Sequence, residues 1–222
     1  MTRNWPALVG LPAARGRVRR EGGQGLVEFA MLVPVFLLIL LGMLEFGFAF
    51  NHNLTLETAT REGARAGAAM ADGSQKDVTT CGNGKTLGAA NVDPLIIAAV
   101  QRVLESPGSM IDRSQVTNIT IYEVTYSGTV TGNMDVWNLN MGAGATIPCV
   151  SAPPLDFSPG ITQTWPASSR TLGATPDSIG VSITYTYQFQ SALGGILRFF
   201  GGSGWSQITM TDRTVMALEP TG

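Results

Sequence analysis

The sequence is poor in the residues on which most active sites and metal centres depend. Its 222 residues include one histidine, His52, and two cysteines, Cys81 and Cys149. Neither cysteine belongs to a CxxC pair or a Cys/His cluster, whereas a zinc site needs about four nitrogen or sulfur ligands. GxSxG, Walker-type and HExxH motifs are absent. We therefore expect no metal, no cofactor, no catalytic residue and no small-molecule substrate, and we predict that the chain is not an enzyme.

Charge is also scarce, and it is unevenly distributed. Charged residues make up 14% of the chain and aromatic residues 8%, whereas glycine occurs 27 times. Five arginines precede residue 24, and the chain after Phe50 carries nine basic and thirteen acidic residues. A mildly acidic body argues against nucleic-acid binding. The composition favours a membrane anchor followed by a glycine-rich, loop-rich domain with β-structure.

One long apolar run predicts a transmembrane helix over residues 24–50. Residues 29–44 contain no charged side chain, and Glu28 and Glu45 are the acids that flank them. A bilayer core of about 30 Å needs about 20 helical residues. The run is apolar on every face, which argues against a buried core helix with one polar stripe. We therefore expect the lipid bilayer to be a partner of this chain.

The residues on either side of the run predict its orientation. The five arginines lie before it, and no lysine or arginine follows until Arg61. The positive-inside rule then keeps residues 1–23 in the cytoplasm and exports the chain from about residue 51. The predicted localisation is a single pass through the cytoplasmic (inner) membrane. A secretory signal peptide is the alternative, but its apolar core usually has about 7–15 residues, and residues 47–49 make a weak cleavage site.

Basic residues, small residues and then Glu-Phe open the apolar helix. Residues 19–29 read RREGGQGLVEF, which resembles the processing site of type IV pilin-like proteins. In those proteins a prepilin peptidase cuts after a glycine, and the mature chain has Glu at its fifth position. The resemblance implies a cut between Gly23 and Gln24, which makes Glu28 fifth and Phe29 sixth. The new α-amino group could pair with Glu28 of a neighbouring subunit, which would offset the cost of a carboxylate in lipid.

Further residues narrow the resemblance to TadE-like proteins, minor pilins of the tight-adherence (Flp) pilus and secretion system. It rests on VEFA at 27–30, Pro34, LEFG at 44–47 and TREGAR at 60–65. Thr60 stands where the family commonly has alanine. The resemblance covers about residues 22–68. It implies a pilus subunit whose partners are prepilin peptidase, other pilins and pilus assembly proteins. The alternative is an uncleaved single-pass anchor that presents an adhesive or sensory domain.

The helix is predicted to continue beyond the membrane over residues 51–72. Pro34 should kink or locally open its membrane-spanning part. In the extension, Ala59, Gly63, Gly67 and Met70 form a ridge of small residues that we expect to pack on a sheet. The charged residues of the family motif serve either as surface salt bridges, with Glu57 pairing Arg61, or as contacts between subunits. That motif consists of Arg61, Glu62, Gly63, Ala64 and Arg65.

Residues 73–222 are predicted to form an extracytoplasmic α+β domain, pilin-like, with an antiparallel sheet of about four strands. The strands are expected at 116–126, 128–137, 178–190 and 206–218, and a helix capped by Asp93 at about 94–105. Residues 138–177 are interpreted as a long loop. Cys81 and Cys149 either form a disulfide, as an oxidising compartment favours, or remain two separate thiols.

An apolar segment near the C-terminal end and the single histidine each have more than one possible role. Residues 192–205 read ALGGILRFFGGSGW, an apolar lobe with one charged side chain, Arg198. We interpret the lobe as a plug of the domain core, with a membrane-surface contact or a partner site as the alternatives. His52, close to the predicted membrane boundary, is interpreted as a surface histidine.

Overall fold

The computed structural model describes residues 22–70, 91–147, 154–172 and 175–218. Almost all of the predicted leader, and both Cys81 and Cys149, lie outside the described residues, so the disulfide stays a prediction. The chain divides into two compact units, one up to Leu40 and one from Leu41 onward. The helices are α1 (Gly22–Met70), α2 (Val92–Leu104) and α3 (Ala192–Gly201). The strands are β1 (Val116–Val124), β2 (Val130–Leu139), β3 (Phe157–Gln163), β4 (Ser178–Gln188) and β5 (Gln207–Ala217).

The α+β class is confirmed, and the sheet has five strands rather than four. The strand order is β3-β2-β1-β4-β5, and every neighbouring pair is antiparallel. The additional strand, β3, lies in the segment that we interpreted as a loop. It contains Pro159 and Gly160, which conceal the alternation typical of a strand. Proline is tolerated there because β3 is an edge strand that pairs with β2 alone.

One face of the sheet forms the core, and β4 contributes most to it. Alternate side chains of β4 point into this face and are buried: Ile179, Val181, Ile183, Tyr185 and Tyr187. The neighbouring strand β1 adds Ile119 and Ile121, which are paired in register with Ile183 and Val181. The predicted alternation is therefore confirmed up to Tyr187. Phe189 follows the end of the strand and is only partly buried.

Helix α2 covers the same face, but Asp93 does not cap it. The helix begins at Val92, and its N-cap residue, Asn91, makes no side-chain capping bond. Asp93 instead accepts a hydrogen bond from Arg170, whose side chain is fully buried. The Arg170 guanidinium also lies 4.7 Å from the ring centroid of Trp165. Burial raises the pKa of Asp93 to about 6, although Arg170 opposes this shift.

The small residues of α1 bring its backbone close to both α2 and β4, as the ridge predicted. A Cβ atom on Gly63 would lie 2.6 Å from Val100 Cγ2 and 3.3 Å from Val181 Cγ1. A Cβ atom on Gly67 would lie 2.5 Å from Ile179 Cδ1. These distances are below van der Waals contact, so only glycine permits the observed packing.

Candidate functional site: the two parts of helix α1

The part of α1 before Leu41 presents apolar side chains to its surroundings. Leu26, Phe29 and Phe36 are 70%, 68% and 64% exposed. A core helix of a soluble domain would bury such residues. Within the described part of the chain, α1 is the one helix long and apolar enough to cross a membrane. Exposure, length and composition together indicate a membrane anchor.

The predicted processing site lies in the first turn of α1. The helix starts at Gly22, so both Gly23 and Gln24 are helical. The Gln24 Nε2 amide donates a hydrogen bond to Glu28 Oε1 over 3.0 Å. The backbone N–H groups of a first helical turn have no acceptor within the helix, so unwinding this turn breaks few backbone hydrogen bonds. Cleavage between Gly23 and Gln24 stays a prediction.

Glu28, Phe29 and Pro34 occupy the exposed part of α1. Glu28 is exposed, as is Phe29 one residue later. The helix assignment continues without interruption through Pro34. The assembly roles predicted for these three residues, and the kink predicted at Pro34, stay predictions.

A buried stripe begins at Glu45 and follows α1 to its end. Its members lie one or two helical turns apart, apart from the adjacent pair at positions 59 and 60, which is the spacing of one helix face. Residues of this stripe are 0–6% exposed. They are Glu45, His52, Leu56, Ala59, Thr60, Ala64 and Ala68. The sheet-facing side of α1 therefore starts with a carboxylate and an imidazole, before it becomes apolar.

Glu45 joins α1 to the corner between β4 and α3. It is 4% exposed, and its Oε1 atom accepts hydrogen bonds from the Tyr187 hydroxyl and from the Gln190 backbone N–H at 2.8 Å. Its Oε2 atom accepts from the Ser191 N–H at 2.9 Å. Three donors satisfy a carboxylate that would otherwise be costly to bury. Burial and the adjacent carboxylate raise the pKa of the Tyr187 hydroxyl, which keeps it protonated as a donor.

His52 is fully buried, so its interpretation as a surface histidine was wrong. Its ring centroid lies 5.6 Å from that of Tyr185 and 5.0 Å from that of Tyr187. Its Nδ1 atom is 3.1 Å from the Tyr185 hydroxyl. Burial lowers the pKa of His52, and the Glu45 carboxylate only partly opposes this effect. Burial therefore favours the neutral imidazole.

The family motif divides between the two faces of α1. Arg61 pairs with Glu57, and Arg65 Nε lies 3.3 Å from Glu62 Oε2. Both arginines are largely exposed, so the predicted surface salt bridges are confirmed, whereas a contact between subunits stays a prediction. Gly63 and Ala64, from the same motif, face the core.

The Thr60 side chain connects α1 to β5 by hydrogen bonds. It is fully buried, donates a hydrogen bond to Asp212 on β5 and lies 3.0 Å from the Thr214 hydroxyl. An alanine at this position could make neither bond.

Sequence reasoning missed the inward-facing polar residues of α1. Glu45 and His52 were treated as the end of an apolar run and as an isolated histidine. Their spacing carried a signal, because residues 45, 52, 56 and 59 continue one face of a helix. What the sequence did not show was the partner, since Tyr187 lies 142 positions away from Glu45.

The comparisons with known proteins agree with the resemblance stated above. Residues 23–65 match the family model described as TadE-like protein, which confirms the resemblance over this segment. No curated protein and no solved structure matches the chain. The matched segment contains the exposed anchor, Glu28, Glu45 and the motif at 61–65. It contains no strand of the sheet.

Proposed function

We propose that this chain is a minor pilin-like structural component of a tight-adherence (Flp) pilus assembly. The observation that carries the proposal is the TadE-like match at residues 23–65, which falls on the exposed apolar part of α1 and on the residues that open it. The anchor spans the cytoplasmic membrane once, with its arginine-rich leader inside. The α+β domain is exported and stays attached to the anchor through the rest of α1.

Maturation begins with removal of the leader by prepilin peptidase, between Gly23 and Gln24. The glycine offers an extended backbone without a side chain that would obstruct the protease cleft. The bond lies in the first turn of α1, where unwinding breaks few hydrogen bonds. Cleavage removes all five leader arginines and leaves an α-amino group on Gln24.

Assembly then uses Glu28 as the charge that fixes the register between neighbouring helices. In the single chain, Glu28 bonds only the neutral Gln24 amide among the hydrogen bonds of the described residues, and its side chain is exposed. A carboxylate in the hydrocarbon region requires a partner. The α-amino group of an adjacent pilin supplies the opposite charge. Parallel helices are thereby held at one register, while their apolar side chains remain in lipid or pack on each other.

The experiment compares removal of two carboxylates that lie in different parts of the molecule. Glu28→Gln keeps the size of the side chain and removes its charge. Glu123→Gln makes the same change on β1, where Glu123 accepts bonds from Asn133 and Thr131. We expect Glu28→Gln to accumulate in the membrane, processed and folded, but to be lost from the sheared pilus fraction and to lower the number of pili. Glu123→Gln should assemble normally.

The outcomes separate the proposal from its alternative. Normal piliation by Glu28→Gln would contradict the assembly mechanism. An unprocessed chain in cells that contain prepilin peptidase would favour an uncleaved anchor that presents an adhesive or sensory domain.

A further inference from the structure

The apolar lobe at residues 192–205 is not a plug of the core, which corrects our interpretation. It folds as α3 followed by a 3-10 turn at Ser203–Ser206. Phe199, Phe200 and Trp205 are 84%, 77% and 63% exposed. Gly194 is the one buried residue of α3. The lobe therefore presents three large aromatic side chains outward, within seven positions of the chain.

The aromatic side chains are held in place rather than loosely attached. A Cβ atom on Gly194 would lie 2.8 Å from Phe189 Cβ, and one on Gly201 would lie 2.1 Å from the Trp205 ring. Two glycines thus let α3 pack closely on the end of β4 and let the indole lie on the α3 backbone. The rings of Phe199 and Phe200 contact each other edge to face, with centroids 5.3 Å apart.

Glu45 fixes where this lobe lies along α1. Its carboxylate binds the N–H groups of Gln190 and Ser191, and Ser191 is the N-cap residue of α3. Glu45 also directly follows the uncharged run at residues 29–44. The start of α3 is therefore bound to the position at which the chain would leave the hydrocarbon.

Exposed aromatic residues of α1 flank the same position. Phe46 and Phe50 are 73% and 54% exposed, and their rings are stacked with centroids 6.4 Å apart. Aromatic residues, tryptophan above all, concentrate at membrane–water interfaces. Arg198, the one charged residue of the lobe, has an apolar stem and a charged tip, so its guanidinium can reach the polar headgroup region while the stem lies along apolar surface.

We propose that the lobe formed by α3 and the following turn is seated in the outer interface of the same bilayer that α1 crosses. This inference rests on the proposed membrane anchoring. Phe199, Phe200 and Trp205 enter the region between headgroups and acyl chains, where burial of their apolar surface is favourable. The exported domain then has two attachments to the membrane, α1 and the lobe, which restrict its rotation and tilt.

The test measures quenching of tryptophan emission by brominated lipids, with the full-length chain in nanodiscs. Trp205 is measured as the difference between the unaltered chain and Trp205→Phe. The other described tryptophans, Trp137 and Trp165, are each 2% exposed in the core. We expect the Trp205 emission to fall in brominated nanodiscs, and the double variant Phe199→Ser/Phe200→Ser to reduce this loss. Both phenylalanines are exposed, so this variant should fold.

Two added tryptophans, each in the Trp205→Phe background, serve as controls. Phe36→Trp reports on the anchor and should be quenched. Tyr126→Trp places an exposed aromatic beyond β1, whose last residue, Val124, pairs with Ser178 at the far end of β4 from α3. The eleven residues of β4 span about 33 Å, so Tyr126→Trp should not be quenched.

Each outcome has one meaning. Quenching of Phe36→Trp without quenching of Trp205 would overturn the lobe proposal and leave the anchor intact. Absence of quenching at Phe36→Trp would overturn the anchor itself. Trp205 emission that is not quenched by brominated lipid but changes with the number of chains per nanodisc would indicate that the lobe contacts a second copy of this protein. This result would also overturn the proposal.

Discussion

The two parts of α1 are built from the same helix but place their side chains in opposite ways. Between Leu26 and Leu40 the large apolar residues other than Val33 are exposed, and the described acid there, Glu28, lies at the surface. From Glu45 onward one stripe is buried and the acid that opens it has three donors. An exposed apolar surface can contact lipid or other helices, whereas the buried stripe packs on the sheet and holds α1 to the domain. The surroundings of a glutamate therefore depend on its position along α1: Glu28 is exposed, whereas Glu45 is buried and bonded to the domain.

The largest difference in stability is expected between Glu45→Leu and Glu28→Leu. Glu45→Leu leaves the Tyr187 hydroxyl and two N–H groups without their acceptor. We expect the free energy of unfolding to fall by about 2–3 kcal/mol, because buried and partly buried donors are costly to leave unpaired. Glu28→Leu should leave it unchanged. Urea unfolding of the detergent-solubilised full chain measures both, and equal effects would contradict the comparison.

A second pair of variants adds bulk to a glycine in each part. Gly63→Leu inserts a side chain where a Cβ already meets Val100 and Val181. Overpacking of this kind costs about 1–3 kcal/mol, and we expect a lower midpoint of thermal unfolding. Gly25, in the part before Leu41, has nothing within 4 Å of its Cβ position, so Gly25→Leu should unfold at the original temperature. A stable Gly63→Leu protein would show that α1 does not pack on the sheet as described.

Acidification should weaken the buried stripe through His52. Its pKa is lowered in the folded protein, so the unfolded chain takes up the proton first. Stability is then fully present above the unfolded pKa of about 6.5 and is lost as the pH falls below it, toward the folded value. His52→Gln cannot titrate, and its unfolding midpoint should depend less on pH between 7 and 5. The raised pKa of Asp93 acts in the opposite direction, but it is common to both proteins and cancels. Parallel pH profiles would exclude His52 as the source.

A smaller effect is expected where the chain departs from the usual family motif. Thr60→Ala removes the hydroxyl that bonds Asp212 and Thr214 on β5. We expect a loss of about 1 kcal/mol in the free energy of unfolding, the usual net value of a hydrogen bond. Thr58 is exposed and bonds only the Leu54 carbonyl oxygen of its own helix, so Thr58→Ala is the matched control. The prediction fails when both variants have the same stability.

The smallest effect should be that of the exposed salt bridges. Arg61→Gln breaks the pair with Glu57, which is worth a few tenths of a kcal/mol at most. Its unfolding curve should overlay that of the unaltered protein. Loss of piliation without loss of stability would then assign Arg61 to a contact between subunits, the second role open to the motif.

Elements with a periodic pattern in their own local sequence could be predicted. They are the anchor, the helix extension, the ridge of small residues and the strands β1, β2, β4 and β5. Strand β3 could not be predicted, because Pro159 and Gly160 conceal the alternation that is typical of a strand. Its pairing with β2 is visible only in the fold. The lobe was misassigned because apolar composition does not reveal whether protein or lipid covers it. Glu45 and His52 were missed because their partners, Tyr185 and Tyr187, are distant in sequence and adjacent only in the fold.

The proposed assembly depends most on processing of the first part of α1 as a pilin helix. Processing is measured by the intact mass and N-terminal residue of the chain isolated from membranes of cells that contain prepilin peptidase. We predict a mature protein that begins at Gln24, processing that is blocked in Gly23→Val, and processing that is retained in the matched variant Gly25→Val. A chain that still carries residues 1–23, or one that begins beyond residue 47, would contradict cleavage between Gly23 and Gln24.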